Sequence, residues 1–254
     1  MILALDIGNT NVVIGCIADG EILFTERMAT DSGKTELDYA ISLKMVLELR
    51  EIKVSEITGA IIGSVVPPVT SLMREAIRKV TGQEALVVNV DMNIGLEVLM
   101  DNPSSVGTDL IVGAVAGINR YPVPLILIDM GTATTICVVN ENKQYIGGMI
   151  LPGIGVSMNS LTSRTAQLPR ISLDPPKRLI GKNTVECMQS GALYGNASCI
   201  DGMVDRIEEE LGQKATVVAT GGLARKIIPL CRHQIELDDE LLLRGLWIIY
   251  KKNK

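Results

Sequence analysis

Short apolar runs alternate along this chain with stretches whose apolar residues recur at helical spacing, a rhythm that predicts an α/β architecture. The opening departs from it. Residues 2–5, 12–17 and 21–28 read as three successive strands, and Asp19-Gly20 between the last two is a hairpin-turn signal. Thr35 followed by Asp38 resembles a capping box and opens a helix predicted over residues 37–50, with Ala40, Leu43 and Leu47 on one face. Residues 57–64 read as a buried strand stopped by Pro67-Pro68; Leu72, Ala76, Ile77 and Val80 mark the next helix, and 86–90 is another strand up to Val90. Later, a helix is predicted over 110–118, for which Asp109 has the chemistry of an N-cap. Gly191, Gly195, Ser198 and Gly202 recur at helical spacing within 185–211, ahead of Gly212 as a stop. Such small residues admit a closely packed partner helix, from the same chain or from a second copy.

One pattern occurs twice. Ala4-Leu5-Asp6-Ile7-Gly8-Asn9-Thr10-Asn11-Val12-Val13 follows the same plan as Leu127-Ile128-Asp129-Met130-Gly131-Thr132-Ala133-Thr134-Thr135-Ile136. In each, an apolar strand ends at Asp-x-Gly, a turn of small polar residues follows, and a second strand returns. Two similar halves are therefore expected, 1–119 and 120–254, with a boundary near Asn119-Arg120-Tyr121-Pro122 and a cleft between them. Glycine lets the main chain approach a ligand closely, and backbone N–H groups with Asn or Thr side chains suit phosphate oxygens. The aspartate at the strand end suits a cation or its water. Neither a P-loop nor a Gly-x-Gly-x-x-Gly run is present in the sequence.

Composition narrows the chemistry further. The 254 residues are 47% hydrophobic and 21% charged, which excludes a disordered chain, and 24 Lys and Arg against 29 Asp and Glu leave no basic footprint for nucleic acid. Five scattered cysteines without a Cys-x-x-Cys pair read as reduced cytosolic thiols, and an opening strand without a basic leader points to the cytoplasm. Residues 144–163 lack charge but carry Gly147, Gly148, Pro152, Gly153 and Gly155, so they read as turn-rich rather than membrane-spanning. His233 is the single histidine; beside Cys231 it reads as a surface-loop residue and is assigned no role. Acid–base work falls to carboxylates.

The paired Asp-x-Gly turns, with Thr220-Gly221-Gly222 after a strand over 215–219, resemble the phosphate and adenosine motifs of the acetate-kinase, sugar-kinase, heat-shock-chaperone and actin superfamily. Closer still, Asp6-Ile7-Gly8-Asn9-Thr10, Gly63-Ser64-Val65-Val66-Pro67, Asn102-Pro103, Val106-Gly107-Thr108-Asp109, Asp129 through Thr135, Gly147 through Gly153, Thr165 through Pro169, Asn183-Thr184 and the closing Leu241 through Leu246 resemble the type III pantothenate kinase family, in the family's order. The resemblance implies two ribonuclease-H-like, actin-like α/β halves, mixed sheets flanked by helices around an interdomain cleft. It also implies ATP-dependent phosphorylation of pantothenate in a cytoplasmic homodimer, with Mg2+ and a monovalent cation, K+ or NH4+, and no nucleic-acid or membrane partner. Carried over by motif, Asp6, Ile7, Gly8, Asn9, Thr10, Asn11, Val12 and Val13 form the first phosphate loop, and Thr132, Gly221 and Gly222 contact ATP. Asp129 holds the monovalent cation, Asp109 is the catalytic base, and Met100, Gly107, Thr108, Leu110 and Thr184 line the substrate.

Two positions depart from the family pattern. Its substrate loop usually reads Gly-Ala-Asp-Arg, where this chain has Gly107-Thr108-Asp109-Leu110, and a tyrosine usually stands where Met100 does. A guanidinium and a phenol are missing; Arg164 is a candidate substitute, but it reads first as a solvated basic residue. Besides the active kinase, two readings follow: a nucleotide-binding paralogue of altered acceptor specificity, and a regulator without catalysis.

Overall fold

A computed structural model describes residues 1–89 and 91–254, so Val90, the expected end of one strand, lies outside the described residues. The chain divides into two compact units, Met1–Asn119 with Glu240–Lys254, and Arg120–Asp239.

The first unit opens with a meander, β1 (Ile2–Ile7), β2 (Asn11–Ala18) and β3 (Glu21–Ala29). Asp19 and Gly20 both take positive φ, 50° and 92°, the backbone of a two-residue turn whose twist matches the flanking strands. Then come α1 (Glu36–Leu49), β4 (Gly59–Ser64), α2 (Pro67–Thr81), β5 (Ala85–Val87), the short β6 (Glu97–Val98) and α3 (Thr108–Arg120). The strand order is β3-β2-β1-β4-β5, antiparallel through the meander and parallel from β1 to β4 to β5. Thr35 caps α1 in a reciprocal box with Asp38, as the spacing predicts. α2 starts at the prolines that stop β4, because their missing N–H groups fall where a helix's first donors lack partners anyway. One sheet face buries Leu3, Leu5 and Ile7 against Tyr39, Leu43 and Met73.

The second unit repeats the plan with β7 (Leu125–Met130), β8 (Ala133–Val139), β9 (Gln144–Pro152), α4 (Ile154–Ser163), α5 (Thr184–Leu211), β10 (Thr216–Thr220), α6 (Ala224–Ile227) and β11 (Glu236–Leu237). Its strands run in the order β11-β10-β7-β8-β9. β7 pairs antiparallel with β8 and parallel with β10, as β1 does with β2 and β4. The turn-rich 144–163 stretch forms β9 and α4, and among the described residues no helix is long and apolar enough to cross a membrane. α5 stops at Gly212, in left-handed backbone at φ 68°.

The expected second half, 120–254, is corrected at its end. α7 (Leu241–Lys252) packs on the first unit, where Gly15 leaves room for Leu243, Gly59 for the Tyr250 ring and Gly63 for Leu246. Gly245 in turn lies so close to the Val112 carbonyl of α3 that a Cβ would overlap it. The sequence shows this helix as amphipathic but holds no signal for which sheet it covers.

Candidate active site

In the first unit the Asp-x-Gly turn joins β1 to β2. Asp6 sits opposite Val13 on one side and Gly63 of β4 on the other, so its carboxylate leaves a central strand beside a residue without a side chain. The Gly8 N–H closes the turn on the Asn11 carbonyl at 3.0 Å. Ile7 and Val12 are buried anchors and Val13 is partly buried, while Asn9, Thr10 and Asn11 are exposed at the tip. The loop is clamped from β3: Thr30 donates its hydroxyl to the Gly8 carbonyl at 2.7 Å and its N–H to the Thr10 carbonyl at 3.0 Å. Sequence reasoning missed Thr30. The pairing of Asn11 with Ala29 brings it there, and that register cannot be read before the hairpin is known.

The Val106-Gly107-Thr108-Asp109 stretch reaches the same place. A Cβ on Gly63 would lie 3.8 Å from the Thr108 methyl and 3.6 Å from Val112, so the start of α3 packs over the strand that flanks Asp6. Asp109 is the second residue of α3, which corrects the expectation of an N-cap at that position. Its Oδ1 accepts the neighbouring Leu110 N–H at 2.9 Å and bends over Gly107, where a Cβ would come within 2.5 Å of it. Burial pushes the Asp109 carboxyl above the usual carboxylate range, and backbone N–H donors pull it part of the way back. Met100, in the segment before α3, and Leu110, in its first turn, are both partly buried. A cavity of about 710 Å³ opens beside it, with Val88, Leu96, Val106 and Ile111 on an apolar wall and Asn89 and Glu97 among its polar lining.

In the second unit the turn between β7 and β8 is one residue shorter. The Gly131 N–H donates to the Ala133 carbonyl at 3.0 Å, and Thr132 is exposed at the tip. Asp129 lies opposite Thr135 and Thr220, and Gly221 follows directly with φ 96°. A Cβ on Gly221 would sit 2.5 Å from Asp129 Oδ1 and 2.6 Å from the Met130 nitrogen, so only glycine lets the Thr220-Gly221-Gly222 bend pass over the carboxylate. Gly153, given no role from sequence, lies against the Thr132 and Gly131 carbonyls and donates to the former at 3.2 Å. Thr184 is exposed at the first turn of α5, behind the Asn183 cap, and Arg164 is exposed at the end of α4.

Each unit thus carries a carboxylate at a strand end beside a glycine-bearing turn, and the first unit carries in addition a desolvated carboxylate at a helix start. The family model described as type III pantothenate kinase matches residues 2–206. The chain belongs to the type III pantothenate kinase family. A type III pantothenate kinase from Bacillus cytotoxicus is 44% identical over 253 residues, covering 100% of this chain and 97% of that one. Solved structures share the fold at low identity. A Baf family transcriptional activator from Campylobacter jejuni is 19% identical at a TM-score of 0.58, covering 99% of this chain and 98% of its own. The activator of 2-hydroxyisocaproyl-CoA dehydratase from Clostridium difficile, with ADPNP bound, is 14% identical at 0.56, covering 98% and 93%. Membership in a family of type III pantothenate kinases makes phosphoryl transfer the chemistry to derive from these carboxylates.

Proposed function

We propose that this protein transfers the γ-phosphoryl group of ATP to the primary hydroxyl of pantothenate, with Asp109 as the base. The observation that carries the reading is the placement of a desolvated carboxylate at the start of α3, over the strand that flanks Asp6. Phosphoryl transfer asks the protein mainly for positioning and charge neutralisation, and a carboxylate of raised proton affinity suits an alcohol that loses its proton as the phosphorus bond forms. The acceptor attacks the γ-phosphorus, the bond to the β-bridging oxygen breaks, the proton passes to Asp109, and ADP leaves.

The first turn, Asp6 to Val13, binds the phosphates, with Thr30 holding its carbonyls in place. Thr132, Gly221 and Gly222 receive the nucleotide in the second unit. The donor sets fit hard cations: Asp6 offers an oxygen ligand for Mg2+ carried by ATP, and Asp129, over which Gly221 leaves no space for a side chain, offers one for K+ or NH4+. These ions supply charge neutralisation on the phosphates. Gly107, Thr108 and Thr184 contact the acceptor, and the apolar wall of the adjoining cavity suits the branched carbons beside the reacting hydroxyl. We further propose a cytoplasmic homodimer. On α5, Cβ atoms at Gly191 and Gly195 would meet nothing within 4 Å, which leaves this close-packing face open to a second copy rather than filled by the same chain.

A product-resolved assay with ATP, Mg2+, K+ and pantothenate, beside a panel of other primary alcohols, tests this. Phosphopantothenate as the preferred product is expected. Phosphorylation of another alcohol in preference favours the altered-acceptor reading that Met100 and Leu110 motivate, and ATP binding without transfer to any alcohol favours the regulatory one.

A further inference from the structure

The second unit gathers metal-ligating side chains that no step above uses. α5 presents Asp205 and Glu208 three residues apart, hence on one face. The segment after Leu230 folds back on that helix, because the backbone N–H groups of Arg232 and His233 donate to the Asp201 carboxylate at 2.9 and 3.2 Å. This fixes the single histidine of the chain so that its Nε2 lies 2.9 Å from Asp205 Oδ1. One ligand atom from each of Asp205, Glu208 and His233 falls within 4.8 Å of the others. The site is built rather than loose: Glu208 is 8% exposed and His233 22%, while Asp205, at 58%, leaves one side open to water. A cation already sits there, since the Lys214 ammonium caps Glu208 at 2.6 Å from a side chain that is 83% exposed. The other Glu208 oxygen accepts the Ala215 N–H at 3.1 Å.

We propose that His233, Asp205 and Glu208 bind a divalent transition-metal ion of the zinc class, with Lys214 swinging into solvent as the ion enters. One imidazole and two carboxylates around a position open to water form a three-ligand set that suits Zn2+ or Co2+, whereas Mg2+ favours oxygen alone. Ligand atoms around a tetrahedral zinc stand about 3.3 Å apart. The exposed Asp205 side chain supplies the adjustment by rotating, with the backbone already held by Asp201. The bound ion joins α5 to the segment that leads into β11.

The test is calorimetry with Zn2+ and absorption with Co2+ on the full, chelator-treated, nucleotide-free chain. One saturable ion per chain is expected, weakened at least tenfold in His233→Ala and in Asp205→Asn, and tightened in Lys214→Met. The Co2+ spectrum should lack a thiolate charge-transfer band, which separates this site from the exposed Cys187. Unchanged kinase turnover and metal-free melting in His233→Ala and Asp205→Asn distinguishes metal loss from unfolding. Absence of saturable binding in the wild type, or affinity that matches the wild type in both ligand variants, overturns the proposal.

Discussion

Asp109 carries two signals at once, a place in the first turn of α3 and a proton affinity raised by burial. Because its folded-state pKa lies above the unfolded one, the folded chain binds more protons between the two values, so this residue's contribution to stability falls as pH rises through that window. Asp109→Asn removes the ionised form and with it that loss. The variant is therefore expected to melt at or above the wild-type temperature at neutral pH, the difference closing below the carboxylate range, as calorimetric scans across pH would read. A mutant that melts well below the wild type at neutral pH would mean that the ionised carboxylate supports the fold. Leu110 in the first turn of α3 and Met100 in the segment that leads to it are where the sequence alone shows a missing guanidinium and phenol. Charge-assisted donors contribute about 1.5–3 kcal/mol, so Leu110→Arg should lower the apparent KM for pantothenate by roughly tenfold, more with Met100→Tyr. Unchanged steady-state kinetics in the folded double variant would show that another residue already makes these contacts.

At the scale of elements, the two Asp-x-Gly turns were legible because the pattern, common singly, stands between apolar runs twice at matched positions. The capping box of α1 and the Gly212 stop of α5 were legible too, each being chemistry confined to neighbours in sequence. What could not be read is the support that comes from another strand. Thr30 reaches the Gly8 and Thr10 carbonyls only through the β2–β3 register, and Gly153 reaches Thr132 only through β8–β9. Thr30→Val keeps the shape and removes the hydroxyl donor, a loss of about 1 kcal/mol in holding the loop. ATP affinity should fall roughly fivefold while the melting temperature moves little. Nucleotide titrations that match the wild type would remove Thr30 from the account.

At the scale of the whole molecule, internal similarity suggested two halves joined in the middle, yet the chain's last helix belongs with its first strand. The pattern of α7 shows a buried face, Leu243, Leu246, Ile249 and Tyr250, without saying which sheet receives it. Its glycine partners are equally silent, since Gly15 and Gly59 look like strand weak points until Leu243 and Tyr250 fill the space above them. Ending the chain before residue 240 should thus strip one face of the first unit. Hydrogen exchange should lose protection in β1 and β4, with β7 and β10 affected less; equal loss in both units would contradict the assignment of α7.

Transfer to pantothenate with Asp109 as proton acceptor stands or falls on the steady-state turnover of Asp109→Asn. A positioned carboxylate base contributes about a hundred- to ten-thousand-fold, so kcat should fall at least about a hundredfold while ATP binding holds and the melting temperature does not drop. Near-normal formation of phosphopantothenate by the folded variant would contradict the mechanism.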